Sequence, residues 1–459
     1  MPILRAYALP HPPLAIPGVG RGQEARIQKT LSAFDDAARE IAALAPETVV
    51  FVTPHNVLYS DYFHISPGPG AEGDLARFRD RETRFETEYD TELVAEIARL
   101  AGQAGLRAGT LGETDARLDH GVTAPMWFIN RRYPRYQSVR ISPSGMDPSE
   151  HYRLGRCVAE AAGRRKTVLI ASGDLSHKLS ADAPYGFAPE GAAFDLAVTQ
   201  AFSSGDFLSL FTIPDTLRER AAECGYHSFM ILAGCFDGLS VDAKLLSYEG
   251  PFGVGYAVAS FAPGGPDGRR RYLDRFAELS LAEARERQDH EDTHRALARR
   301  SLEYAVKNGG ALPFPDGLPD ELLNGRAGAF VSLHKNGRLR GCVGTIAPTA
   351  GNIAGEIIQN AVSAGLHDNR FDPVTVSELP FLTYKVDILS PPEPVSGPGE
   401  LDVRRYGVIV SSGRRRGLLL PNLDGVDSAE EQIAIARKKG GIPDNAPVKL
   451  ERFEVTRHE

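Results

Sequence analysis

Three apolar runs in the first half of the chain each stop a few residues short of a histidine: Tyr7-Ala-Leu-Pro-His11, Phe51-Val-Thr-Pro-His55 and Ile170-Ala-Ser-Gly-Asp-Leu-Ser-His177. Short apolar runs bounded by Gly and Pro read as buried strands. In an open α/β sheet, the loops leaving the carboxyl ends of the strands converge on one cleft, however far apart they are in sequence. The recurrence therefore predicts an α/β domain in which His11, His55 and His177 share a cleft. Pro10 and Pro54 stiffen the exits from two of the strands, which suits a preorganised ligand set. A fourth histidine, His120 in Leu118-Asp-His-Gly-Val122, has Asp119 beside it, a carboxylate able to fix the imidazole tautomer.

Strands are expected at 4–9, 48–53, 167–171 and 253–260, alternating with helices over 24–44, 90–104, 190–203 and 227–236. The alternation stops at Phe261-Ala-Pro-Gly-Gly-Pro-Asp-Gly-Arg-Arg270, whose Pro and Gly content reads as a domain boundary. A charged, helix-forming stretch comes next. At 459 residues the chain is too long for one core. We divide it into a domain over 1–262 with a central sheet flanked by helices, a linker over 263–288 and an α+β domain over 289–459. The second domain is expected to open with a helix capped by Asp289, to have strands at 329–333 and 382–389, and to carry a late helix over 428–439.

A formal charge of -8, from 52 basic and 60 acidic residues, provides no field for nucleic acid or an anionic membrane. No apolar run reaches the ~20 residues of a membrane span, and no secretory leader is evident, so a cytoplasmic protein is expected. The four cysteines, Cys157, Cys224, Cys235 and Cys342, form no C-x-x-C pair, which argues against a disulfide scaffold or a zinc ribbon. His290-Glu-Asp-Thr-His294 has zinc-protease spacing, but its flanks describe a solvated helix and no third ligand is apparent. Gly68-Pro-Gly-Ala-Glu-Gly73 matches a dinucleotide-binding count, yet Pro69 and the charges after it point to a surface loop. Arg414-Arg-Arg416 reads as a hairpin tip.

Two neutral imidazoles and one carboxylate, with positions left open, suit non-heme Fe(II) oxygen chemistry. Glu223, in Ala222-Glu-Cys-Gly-Tyr-His227, and Glu249, in Ser247-Tyr-Glu-Gly-Pro251, are the carboxylate candidates. Pro10-His-Pro-Pro13, Thr53-Pro-His-Asn56, Leu118-Asp-His-Gly121 and Ser172-Gly-Asp-Leu-Ser-His177 together resemble the class III extradiol dioxygenase superfamily, which includes protocatechuate 4,5-dioxygenase beta subunits and MEMO-type proteins. The resemblance covers roughly 1–262. It implies that His11, His55 and Glu223 hold Fe(II), with copper, zinc and manganese as alternative ions. It further implies that His177 is the acid/base residue and His120 a supporting or substrate-contacting group. A small aromatic substrate of catechol type and dioxygen are implied by the same likeness. MEMO-type proteins carry Cys-Gly where this chain has Glu223-Cys224-Gly225, so either Glu223 or Cys224 faces the metal; a thiolate would favour a softer ion and disfavour ring cleavage.

In the second domain, Gly337-Arg-Leu-Arg-Gly-Cys-Val-Gly-Thr345 places Cys342 between glycines just after a short turn. It reads either as a tight strand-turn element or as a reactive thiol kept ionised by Arg338 and Arg340. This motif, His367-Asp-Asn-Arg-Phe-Asp-Pro373, Leu418-Leu-Leu-Pro-Asn422 and Lys449-Leu-Glu-Arg-Phe-Glu454 resemble the AMMECR family over roughly 289–459. Fusion of the two domain types resembles the AmmeMemoRadiSam system, which implies a radical SAM protein partner. A second copy of the chain is a further expected partner, and neither nucleic acid nor membrane is.

Overall fold

The computed structural model describes residues 3–113, 115–335, 338–423 and 425–459. They form two compact units, Met1–Glu278 and Leu279–Glu459. Among the described residues no helix is long and apolar enough to cross a membrane.

The first unit is a mixed α/β fold. Its principal elements are β1 (Ile3–Leu9), α1 (Gln28–Leu44), β2 (Thr48–Val52), the hairpin β3 (Gly70–Leu75) and β4 (Asp80–Glu88), α2 (Thr91–Gln103), α3 (His120–Asn130), β5 (Gln137–Ile141), α4 (Pro148–Ala162), β6 (Thr167–Ser172), α5 (Pro189–Ser204), α6 (Tyr226–Gly234), β7 (Leu239–Glu249) and β8 (Tyr256–Pro266). Six strands make one sheet in the order β5-β2-β6-β1-β8-β7. The first four are parallel, and β8 and β7 run antiparallel at one side. Every residue of β2 is buried, as a parallel strand covered on both faces requires. Val49 and Phe51 face a core built with α1 and α3, while Val50 and Val52 face one built with α2, α4, α5 and α6. The registers Leu9↔Ser172 and Val52↔Ala171 end three neighbouring strands at one level. That level is where the histidines sit.

Two expectations are corrected here. The first residues of the expected linker, 263–266, are not linker but the end of β8, with Pro263 opposite Val241 and Pro266 opposite Leu239. The pairing of β8 with β1 stops at Phe261, so the prolines, which lack an N–H, fall where one side of the strand has no ladder. Of the stretch 68–73, expected as a loop, only 68 and 69 lie outside a strand, because Gly70 to Leu75 pair along β4.

The helix α7 (Tyr272–Asp289) contains the division between the units. In the second unit, α8 (Thr293–Asn308) and α9 (Ile353–Leu366) pack on an antiparallel sheet of Arg338–Gly344, β9 (Ala329–Lys335), β10 (Leu382–Leu389) and β11 (Val455–His458), in that order. A second antiparallel sheet holds Glu393–Val395, Lys449–Phe453, Gly407–Ser412 and Arg415–Leu419. The late helix, Ala429–Lys439, is capped by Ser428. The cap of α8 is Asp292, which accepts from the His294 and Arg295 N–H groups, and not Asp289, which ends α7. The break between the two helices falls inside 290–294, so His290 and His294 are not one helical turn apart. The turn expected before Arg338 includes residues 336 and 337, which lie outside the described residues.

Candidate metal centre

Loops after β1, β2 and β6, the start of α3 and the turn before α6 build one site. His11 comes just after β1 and is 2% exposed. Its backbone N–H donates to Asp174 Oδ1 (2.9 Å), and its Nδ1 pairs with Ser172 Oγ (2.9 Å), which leaves Nε2 directed into the site. His55 Nε2 lies 2.8 Å from His11 Nε2, and Cys224 Sγ lies 3.5 Å from the same atom. The His120 ring stacks on that of His55 with centroids 4.0 Å apart and stands edge-on to His11 at 5.2 Å. One nitrogen from each of His11, His55 and His120 falls within 4.8 Å of the others.

His177 closes one side. Its Nδ1–H donates to the Ala222 carbonyl (2.7 Å), so its Nε2 is the unprotonated nitrogen of the neutral ring, 3.9 Å from Asp174 Oδ2. The same Asp174 oxygen is 3.9 Å from His11 Nε2. Asp174 thus stands between the cluster and His177. Burial pushes its carboxyl up to about 7.

The electrostatics suit a bound cation. Burial, and then the like charges of its imidazole neighbours, hold His11 well below its ordinary value. Burial brings His55 and His120 down to about 4. All three rings are therefore neutral near pH 7, with lone pairs available to a metal. Burial, followed by the charges of Asp174 and Glu223, raises the Cys224 thiol, so cation uptake would release its proton. Two facing Nε2 atoms at 2.8 Å need a proton or a cation between them. The donor set fits a metal ion on those grounds.

The expected ligand set His11, His55 and Glu223 is not brought together. Glu223 Oε2 accepts from the Tyr226 N–H (2.7 Å) at the start of α6, and Glu249 Oε1 accepts from Thr30 N–H and Oγ1–H (both 2.7 Å) in the first turn of α1. Both carboxylates serve helix starts. Cys224 occupies the position beside His11, and His120 stands within the cluster. Asp119 does not bond the His120 ring; its Oδ1 accepts from Thr53 Oγ1 (2.6 Å) and the Gly121 N–H (2.9 Å), tying the β2 exit to the start of α3. Behind it, buried Arg140 bonds Glu113 (2.7 Å) and approaches Asp119 Oδ2 at 3.8 Å. Ser172 and Asp174 lie in the Ser172-Gly-Asp-Leu-Ser-His177 motif, from which the sequence pattern singles out only His177, and Arg140 carries no sequence signal of its own.

Close approach of two backbones sets the Cys224 position. A Cβ on Gly173 would overlap the Cα of Gly225. Gly173→Ala should therefore push the turn carrying Cys224 away from the β6 loop and cost about 1–3 kcal/mol, whereas Gly102→Ala, in open space on α2, should be neutral or stabilising. Equal urea midpoints for the two variants would refute this account of the turn.

In the second unit, the residues singled out as a possible second site separate into two pairings. Arg340 turns to Glu378, bonding both oxygens (3.0 and 3.2 Å). Cys342 receives a bond from Ser332 Oγ (3.2 Å), and its N–H donates to Asp368 Oδ2 (2.9 Å). The guanidinium against the Cys342 carbonyl is that of Arg370 (3.1 Å), itself paired with Asp368. Arg340 is thus paired with a carboxylate, and the guanidinium bonded at Cys342 is that of Arg370.

A family model described as the catalytic LigB subunit of aromatic ring-opening dioxygenase matches residues 5–259. The chain belongs to the LigB family. Behind its LigB domain, an AMMECR1 model matches residues 295–458. A Clostridium acetobutylicum protein is 39% identical over 465 residues, spanning 99% of this chain and 98% of its own length. A Thermotoga maritima protein is 51% identical over 164 residues, 35% of this chain and 94% of its own. Among solved structures, an uncharacterised protein from Pyrococcus horikoshii is 30% identical over 37% of this chain and 91% of its own, with a TM-score of 0.34.

Proposed function

We propose that the LigB domain is a metal-dependent oxidoreductase centre of MEMO type, holding one redox-active ion, iron or copper, through His11, His55 and Cys224 with His120 alongside. The observation that carries this reading is the convergence of His11 and His55 on each other with the Cys224 sulfur, rather than a carboxylate, against His11 Nε2. A thiol beside two imidazoles favours a softer ion than a carboxylate would. Such an ion would supply a change of oxidation state and an open coordination position. Ser172 fixes the His11 ring so that Nε2 faces inward. His177 presents an unprotonated Nε2 and Asp174 a carboxyl titrating to about 7, a pair suited to holding and passing one proton near neutral pH. The AmmeMemoRadiSam likeness adds a radical SAM protein as the partner this centre would serve.

The second reading is ring opening of a catechol-like substrate by Fe(II) and dioxygen, which the description of the matched family favours. Elemental analysis of anaerobically purified protein, with catechol added afterwards, separates the two. The MEMO-type reading expects about one ion per chain that is lost in Cys224→Ser, with no new absorption band on adding catechol. Iron retained in Cys224→Ser, together with a catechol band, would establish the ring-opening reading instead.

A further inference from the structure

The second histidine of the 290–294 motif has found partners, but not those its spacing suggests. His294, in the first turn of α8, is 9% exposed, and its Nε2 is buried with no hydrogen-bond partner. A buried ring nitrogen without a partner is uncommon and calls for an explanation. Beside it lie His458 on β11 and Asp292, the helix cap. His458 Nδ1 is 3.4 Å from Asp292 Oδ2, and His294 Nδ1 is 3.8 Å from Asp292 Oδ1. The potential ligand atoms of the three residues lie within 4.8 Å of one another. Neither contact is a hydrogen bond, and both separations suit donors grouped around a shared ion.

We infer that Asp292, His294 and His458 form a second metal site, which takes a divalent zinc-class cation through two imidazole nitrogens and one carboxylate oxygen. This donor set suits zinc, and a fourth position would fall to water, since Asp292 and His458 are reached by solvent. Asp292 Oδ1 already accepts from two backbone N–H groups, but Oδ2 accepts only from Arg295 Nε (3.1 Å) and keeps a lone pair for an ion. The imidazoles lie face to face, with centroids 3.7 Å apart and planes at 16°. Their in-plane lone pairs run side by side in this arrangement, so uptake of an ion turns at least one ring. The ion would fasten the strand β11 to the start of α8, two elements about 160 residues apart in the chain whose loop-closure cost a cross-link offsets. This site is independent of the histidines in the first unit.

The test uses the full chain with His11→Ala and His55→Ala, so that the first site does not contribute. Equilibrium dialysis against zinc followed by elemental analysis should give about one zinc per chain. Adding His294→Ala or His458→Ala should weaken uptake by at least about tenfold, and His290→Ala should leave it unchanged. His458→Gln serves where alanine disturbs the strand. In 15N-histidine-labelled protein carrying His11→Ala and His55→Ala, zinc should shift two imidazole signals, one of them absent when His458→Gln is added. No zinc uptake, uptake indifferent to both His294 and His458, or ring signals unmoved by zinc would overturn the inference.

Discussion

Replacing both His11 and His55 by alanine should leave the LigB domain unable to hold the proposed metal. The two Nε2 atoms face each other at 2.8 Å, and no other pair of ring nitrogens in the cluster is held so directly. His11 is also the more rigid of the two, with its backbone bonded to Asp174 and its ring to Ser172. Loss of groups that merely orient ligands commonly weakens a metal by about 10–100-fold, and loss of two ligands should exceed that. Elemental analysis after dialysis reads the result directly. His177→Ala should behave differently. That ring is anchored to the Ala222 carbonyl and stands across Asp174 from the cluster, so the ion stays while proton transfer is lost. Stoichiometric metal in the double variant would mean that the ligands lie elsewhere, and loss of metal in His177→Ala would make His177 a ligand.

The contrast between these variants rests on residues that the sequence exposes unevenly. His11, His55 and His177 are legible because a parallel sheet covered on both faces needs uninterrupted apolar strands, and the residues just beyond the end of such a strand lie at the cleft. His120 is legible only as a motif, since it comes from the start of a helix and not from a strand end. The third ligand could not be read. Glu223 and Cys224 are adjacent, and which one points inward depends on the Gly173–Gly225 approach and on the Tyr226 N–H that takes Glu223. The strand β7, half-exposed at the sheet edge, and the hairpin β3-β4, rich in Gly and charge, lack the apolar runs that identified the inner strands. In the second unit the reverse happened at 290–294. A familiar spacing joined His290 to His294, whereas the fold joins His294 to Asp292 and to His458, which no local pattern links to it.

Burial of one carboxylate beneath the His177 loop should make the first unit lose stability as pH rises. Asp195, on α5, is 1% exposed; it accepts from the Ser176 N–H (2.8 Å) and from the Tyr248 hydroxyl (2.7 Å). Burial outweighs both bonds and pushes its carboxyl from 3.8 up to about 7. Below about pH 4 the folded and unfolded chains both hold the proton, and stability is unaffected by this group. Between about pH 4 and pH 7 the unfolded chain releases the proton while the folded chain keeps it, so stability falls with each unit. Above about pH 7 the loss is complete. From about pH 5 to about pH 8 the expected loss is about 3 kcal/mol at most. Asp195→Asn removes the titration while its amide oxygen still accepts from Ser176, so the variant's stability should fall less over the same interval. Trp127, the only tryptophan, lies on α3 in this unit, and its fluorescence during urea unfolding tracks the right transition. The same slope in both proteins would show that Asp195 is ionised in the folded state, and that the loop before His177 is held by a charge rather than by a neutral acid.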